Sequence, residues 1–165
     1  MERENEHIQC YKFGCVIDER RVLENIWRGK KDKQRYLDYA YKIGVKRAFE
    51  RMIGDGIIVP DEIEDLYFDI DEHTTATNGK YELKEVLEQE FRWGTYNMDY
   101  SHYFPPIFPN LKKCSVDFSD SAAPNKKLIR ASDFVANRLH HLVECDNWEK
   151  IRQIPRFYIT KQPIE

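Results

Sequence analysis

Three short apolar runs, each followed by a helical pattern, constrain this chain more than any other feature. Lys12 to Ile17 (KFGCVI) is apolar and partly β-branched and ends at Asp18-Glu19-Arg20-Arg21, the signature of a buried strand. From Gln34 to Ile53, Tyr41, Val45, Ala48, Phe49 and Met52 recur at three- and four-residue spacing, with Lys42, Lys46 and Glu50 on another face. Gly54-Asp55-Gly56 ends that helix. Glu64 to Asp71 (EDLYFDID) is the second strand. Asn78-Gly79 opens a turn, and Leu83, Val86, Leu87 and Phe91 form a second amphipathic helix that stops near Gly94. Lys113 to Phe118 (KCSVDF) is the third strand. Pro124-Asn125 introduces a third helix with Leu128, Val135, Leu139 and Leu142 on one stripe, and a last short strand is expected at Phe157 to Ile159.

This alternation predicts an α/β fold with parallel pairing, because parallel neighbours need long crossovers that helices supply. The 165 residues suit one domain over 1–165, with no repeat and no dividing linker. Three strong strands fall short of the roughly four to six of an ordinary sheet, so the sheet reads as incomplete. No apolar run approaches the roughly 18 residues of a membrane span, and the charged start, Met1 to Glu6, lacks the apolar stretch of a secretory signal. Net charge of −3 excludes a wholly basic, nucleic-acid-coating protein but leaves room for local basic faces. Cys10, Cys15, Cys114 and Cys145 form no C-x-x-C pair, and His7, Cys10 and Cys15 match no usual zinc spacing. They read as idle or buried thiols, consistent with a cytoplasmic protein.

The carboxylates need an explanation. Along Leu66 to Asp71, Leu66, Phe68 and Ile70 take one face and Tyr67, Asp69 and Asp71 the other. The two aspartates lie about 7 Å apart at Cα near the strand's carboxyl end, where ligands bind in open α/β sheets. Like charges at that spacing call for a cation or for water. A second acidic group, Asp117-Phe118-Ser119-Asp120-Ser121, follows the third strand; its Ser-Asp-Ser is also ordinary turn chemistry. Asp133 lies in LIRASDFVANRL beside Ala131 and Ala136, either inside a helix or, like Ser132, as the N-cap of one starting at Phe134. Aspartates at two strand ends and on the next helix are what metal-assisted phosphodiester cleavage requires. Hard Mg²⁺ or Mn²⁺ ions about 4 Å apart take oxygen ligands from several elements.

From Phe13 to about Val143 the chain resembles a widespread bacterial domain of unknown function with a ribonuclease-H-like fold. The matching segments are Val116 to Ser121, Ala131 to Ala136, Leu66 to Asp71 and Val16-Ile17-Asp18. Ala122 stands where that family usually has Lys, and Arg130 where it has Gln. The family's initial Asp-Glu-Ser-Gly strand has no counterpart, so the chain is similar to the later two-thirds of the domain. The resemblance implies a mixed sheet flanked by helices and lacking its first strands.

Two functions follow as expectations. The first is a Mg²⁺- or Mn²⁺-dependent nuclease-like domain. Asp71 and Asp133 are its catalytic residues, and Asp69, Asp71, Asp120 and Asp133 its metal ligands. The alternative is a catalytically inactive subunit or regulator that binds a protein partner or a second copy of itself. Lys126, Lys127 and Arg130 are candidate nucleic-acid contacts beside the acidic site, and Arg28 to Arg35 (RGKKDKQR) reads as a solvated basic loop. Tyr96 to Asn110 reads as an aromatic, proline-rich loop. Its Tyr100, His102, Tyr103, Phe104 and Phe108 are suited to packing, partner contact or base stacking.

Overall fold

A computed structural model describes residues 10–71, 79–119 and 127–163. The protein is a mixed α/β chain. Its elements are β1 (Lys12–Ile17), α1 (Glu24–Arg28), α2 (Lys30–Gly54), β2 (Asp65–Asp71), α3 (Gly79–Glu88), β3 (Thr95–Asn97), β4 (His102–Phe104), β5 (Lys113–Ser119), α4 (Lys127–Glu144), α5 (Trp148–Arg152) and β6 (Phe157–Gln162). A π-helical turn, Gln89–Trp93, continues α3.

The strands form three separate two-stranded ladders among the described residues, where the sequence led us to expect one mixed sheet. β1 and β6 pair in parallel from Lys12–Phe157 to Ile17–Gln162, and β2 and β5 from Asp65–Lys113 to Asp71–Ser119. β3 and β4 form an antiparallel hairpin. Helices cover both faces of β1. A side chain at Gly14 would meet Leu139 of α4 at 2.6 Å, while Cys15, pointing to the opposite face, meets Gly44 of α2. Glycine at 14 lets the Leu139 side chain of α4 sit close on the strand.

The larger core lies between β2–β5 and the helices α2 and α3. It buries Val45, Ile70, Leu83, Leu87, Phe91, Phe108, Leu111, Cys114 and Val116. Phe91 is its centre, with ring centroids 5.6 Å from Phe49, 5.6 Å from Phe68 and 6.4 Å from Phe108. A smaller core joins Leu139, Leu142 and Ile151, packed with Val16, Trp148, Phe157 and Ile159.

Several expectations need correction. Arg28 to Arg35 is helix rather than loop: α2 begins at Lys30, and Lys33 donates its backbone N–H to Gly29 at 2.9 Å. Lys, Arg and Gln are good helix formers, so a basic run need not be irregular. The 96–110 segment contains most of the short β3–β4 hairpin, and its Phe108 packs in the core, as one of the uses read for its aromatics allowed. Asp133 lies inside α4, so neither it nor Ser132 is a cap; Ser132 Oγ donates to Leu128 O and Ile129 O instead. The α4 stripe has the expected period but is packed only toward its C-terminal half. Leu139 and Leu142 of the stripe are buried, whereas Leu128 is 74% exposed and the neighbouring Ile129 is the residue buried at the helix start. Asn78 and Pro124-Asn125 lie outside the described residues. No helix among the described residues is long and apolar enough to cross a membrane.

Candidate functional site

The alternation read from β2 holds. Leu66, Phe68 and Ile70 face the core, and the opposite side of the ladder is polar. Parallel register puts partner side chains on one face, so Asp69 lies beside Asp117, and Asp71 beside Ser119, one strand spacing of about 4.8 Å apart. Earlier on the same face Lys113 Nζ lies 5.0 Å from the Tyr67 ring centroid, its charge against the ring's negative face. Asp69 and Asp117 are both exposed, and Asp71 is half-buried. Water therefore reaches the paired carboxylates, and their mutual repulsion does not demand a cation.

The other sequence-derived residues are placed as follows. Asp133 is exposed on α4, which packs against β1 and β2. Lys127 and Arg130 are exposed on the first turns of α4, while Asp120, Lys126 and His7 lie outside the described residues. Among the described residues, no three His, Cys, Asp or Glu side chains come together as a metal-binding group. Asp69, Asp71 and Asp133 are therefore not gathered into such a group among the described residues, and Asp120, the fourth candidate ligand, lies outside them. Cys15 is half-buried and Cys114 buried, whereas Cys10 and Cys145 are exposed. Burial pushes Cys15 up to about 11; at Cys114, burial with the nearby Glu88 charge also gives about 11, so both remain protonated near neutrality.

An enclosed polar arrangement involves Lys42 and Lys46, which the helical period places on a second face of α2. Glu90, in the π-helical turn, is 4% exposed. Its Oε1 accepts a hydrogen bond from Lys46 Nζ; its Oε2 meets Lys42 Nζ at 3.1 Å and accepts from Thr95 Oγ1 at 2.9 Å. Burial pushes the Glu90 carboxyl up, but the hydrogen bonds and charges of Lys46 and Lys42 outweigh it and hold the group below 4.5. The i and i+4 lysines lie on the same face of α2. The clamp therefore ties the long helix, the π-helical turn and the first residue of the hairpin together. π-Helical turns often mark sites where a helix has been bent to a purpose.

The hairpin itself is firmly held. Gly94 takes φ of 78°, and any side chain there would run into Phe104 O and the Tyr103 ring. Tyr103 Oη donates to Trp93 O at 2.5 Å, and Gln89 Nε2 to Gly94 O at 2.7 Å. At the tip, Asn97 Oδ1 accepts from the N–H groups of Asp99 and Tyr100 at 3.0 and 3.2 Å, an Asx turn. On this fixed support Trp93, Tyr96, Met98, Tyr100, Tyr103 and Phe104 are each at least 43% exposed.

Fold and geometry together define a mixed α/β protein with an acidic strand face and a rigid hairpin that displays aromatic side chains. No protein-family model, no curated protein and no solved structure matches the chain.

Proposed function

We propose that this chain is a non-catalytic subunit or regulator that docks another protein chain through its aromatic hairpin. The observation that carries this reading is the exposure of Met98 at 80% and Tyr100 at 79% on a turn whose backbone is already fixed. Single exposed apolar residues are ordinary, but several on one short hairpin, with Tyr96 and Tyr103 paired on one of its faces, favour an interaction surface. Aromatic anchors held in place lose little entropy on binding, which favours their use as interface hot spots.

The test is association. Wild-type protein is expected to sediment as an oligomer, or as a complex with a chain recovered from its source cell. The double variant Met98→Asp/Tyr100→Asp is expected to weaken that association by about tenfold or more. A wild-type chain that stays monomeric and retains nothing from its source cell overturns the reading.

The second reading is a metal-dependent, ribonuclease-H-like nuclease, of which this chain carries the later part. It is favoured by the adjacency of Asp69 and Asp117 with Asp71 at the carboxyl end of a parallel ladder. Because the described carboxylates form no metal-binding group, we place it second. The expected result is no cleavage of single- or double-stranded DNA or RNA by the isolated chain with Mg²⁺ or Mn²⁺. Cleavage that disappears in both Asp71→Asn and Asp133→Asn would reverse the order of the two readings.

A further inference from the structure

We propose that the groove between α2, α5 and β6 binds a phosphorylated small molecule with a flat apolar body, of which a nucleoside diphosphate is the simplest case. This site is separate from the hairpin and from the acidic face. Its volume is about 660 Å³, within the range of roughly 300–1,000 Å³ usual for small-molecule sites. Arg47 and Arg51 of α2, Arg152 of α5 and Lys161 of β6 line it, and among the described residues no carboxylate does. In a chain of net charge −3, four cations converging on one concavity are an anion site in the making.

The cations differ in how they are held. Arg51 Nη1 donates to Ile159 O at 2.8 Å, which fixes its guanidinium at the rim of β6. Lys161 Nζ lies 3.9 Å from the Trp148 ring centroid, so the indole holds the ammonium over the groove. Among the described residues neither is paired with a carboxylate. Arg47 meets Glu50 at 2.8 Å and Arg152 meets Glu149 at 4.0 Å, both through solvent-exposed pairs within one helix. Such pairs contribute little and yield readily to a multiply charged phosphate, which guanidinium groups engage through two parallel hydrogen bonds. Beneath the cations the wall is apolar: Ile151 is buried, and Phe157 and Ile159 are half-buried. A ligand that is anionic at one end and flat and apolar at the other satisfies both parts. Inorganic phosphate satisfies only the first.

The experiment is calorimetric titration of the full chain with ADP and, separately, with inorganic phosphate at low ionic strength. ADP is expected to bind at a single site and at least about tenfold more tightly than inorganic phosphate. Arg51→Gln/Lys161→Gln is expected to weaken ADP binding about tenfold or more. Lys30→Gln/Lys31→Gln, which removes the same charge from the start of α2, is expected to leave it within about twofold. Because Arg51 also supports β6, Arg152→Gln serves as a second variant that touches no backbone group, and it too is expected to weaken ADP binding with its thermal midpoint unchanged. Absence of ADP binding at millimolar concentration, equal affinity for inorganic phosphate, or equal weakening by the two double variants overturns the proposal.

Discussion

Glu90→Ala is expected to lower the unfolding free energy by about 3 kcal/mol, measured by urea denaturation near neutral pH. The carboxylate is 4% exposed and is the common partner of Lys42, Lys46 and Thr95, so its removal leaves two enclosed ammonium groups facing each other. The lysine side chains retain 15% and 20% exposure, enough to turn partly toward water, which keeps the cost toward the lower end for a broken buried pair. Glu90→Gln preserves shape and can still accept hydrogen bonds. It is expected to cost less than Glu90→Ala, the difference between the two reporting packing and hydrogen bonding beyond charge.

The same clamp gives the chain an acid-labile component with a definite sign. A carboxyl held below 4.5 in the folded state binds its proton less readily there than in the unfolded chain. Its contribution is therefore fully present above the unfolded value and is lost as pH falls through the folded one. Wild type is expected to lose stability relative to Glu90→Gln as pH falls below the ordinary glutamate range, and the two are expected to run parallel above it. Parallel curves throughout would mean that the lysines do not hold the carboxyl low. Since Thr95 opens the hairpin, loss of this clamp is also expected to loosen the surface that carries Tyr96 and Tyr103.

How much of this was legible depends on the range of each interaction. The β1 limits, the alternation of Leu66, Phe68 and Ile70 against Tyr67, Asp69 and Asp71, and the end of α2 near Gly54 are all local. Side-chain period and glycine geometry suffice to read them. Asp117 was seen as acidic but not as the neighbour of Asp69, because parallel register is set by pairing across more than forty residues of chain. Glu90 was missed for the same reason: Lys46 lies 44 positions upstream, and nothing local distinguishes these lysines from a solvated face. The basic groove was beyond the sequence altogether. Arg51 meets β6 across 108 positions, so its charges form a site only after the β1–β6 ladder has brought the chain's end back to α2. The basic composition of Arg28 to Arg35 points the other way, because a run of charge resembles a solvated loop even where Lys, Arg and Gln have high helix propensity.

Phe91→Ala is expected to have the largest effect of all, about 4 kcal/mol, with the urea midpoint as the readout. The ring has 0% exposure and contacts phenylalanines from α2, β2 and the segment after β4, so no single element can relax to fill the space. Phe91→Leu refills most of the volume and is expected to cost less than half as much. A cost below about 2 kcal/mol for the alanine variant would show that this core collapses more easily than its aromatic packing implies. Phe91 also sits between Glu90 and Trp93, so it anchors the π-helical turn from the apolar side while the lysines anchor it from the polar side. Faster amide exchange is therefore expected at Tyr96 and Tyr103 in Phe91→Leu, at denaturant-free conditions where the rest of β2 and β5 stays protected. If exchange rises uniformly instead, the hairpin belongs to the global unfolding unit, and its stiffness comes from the whole core rather than from the turn beneath it.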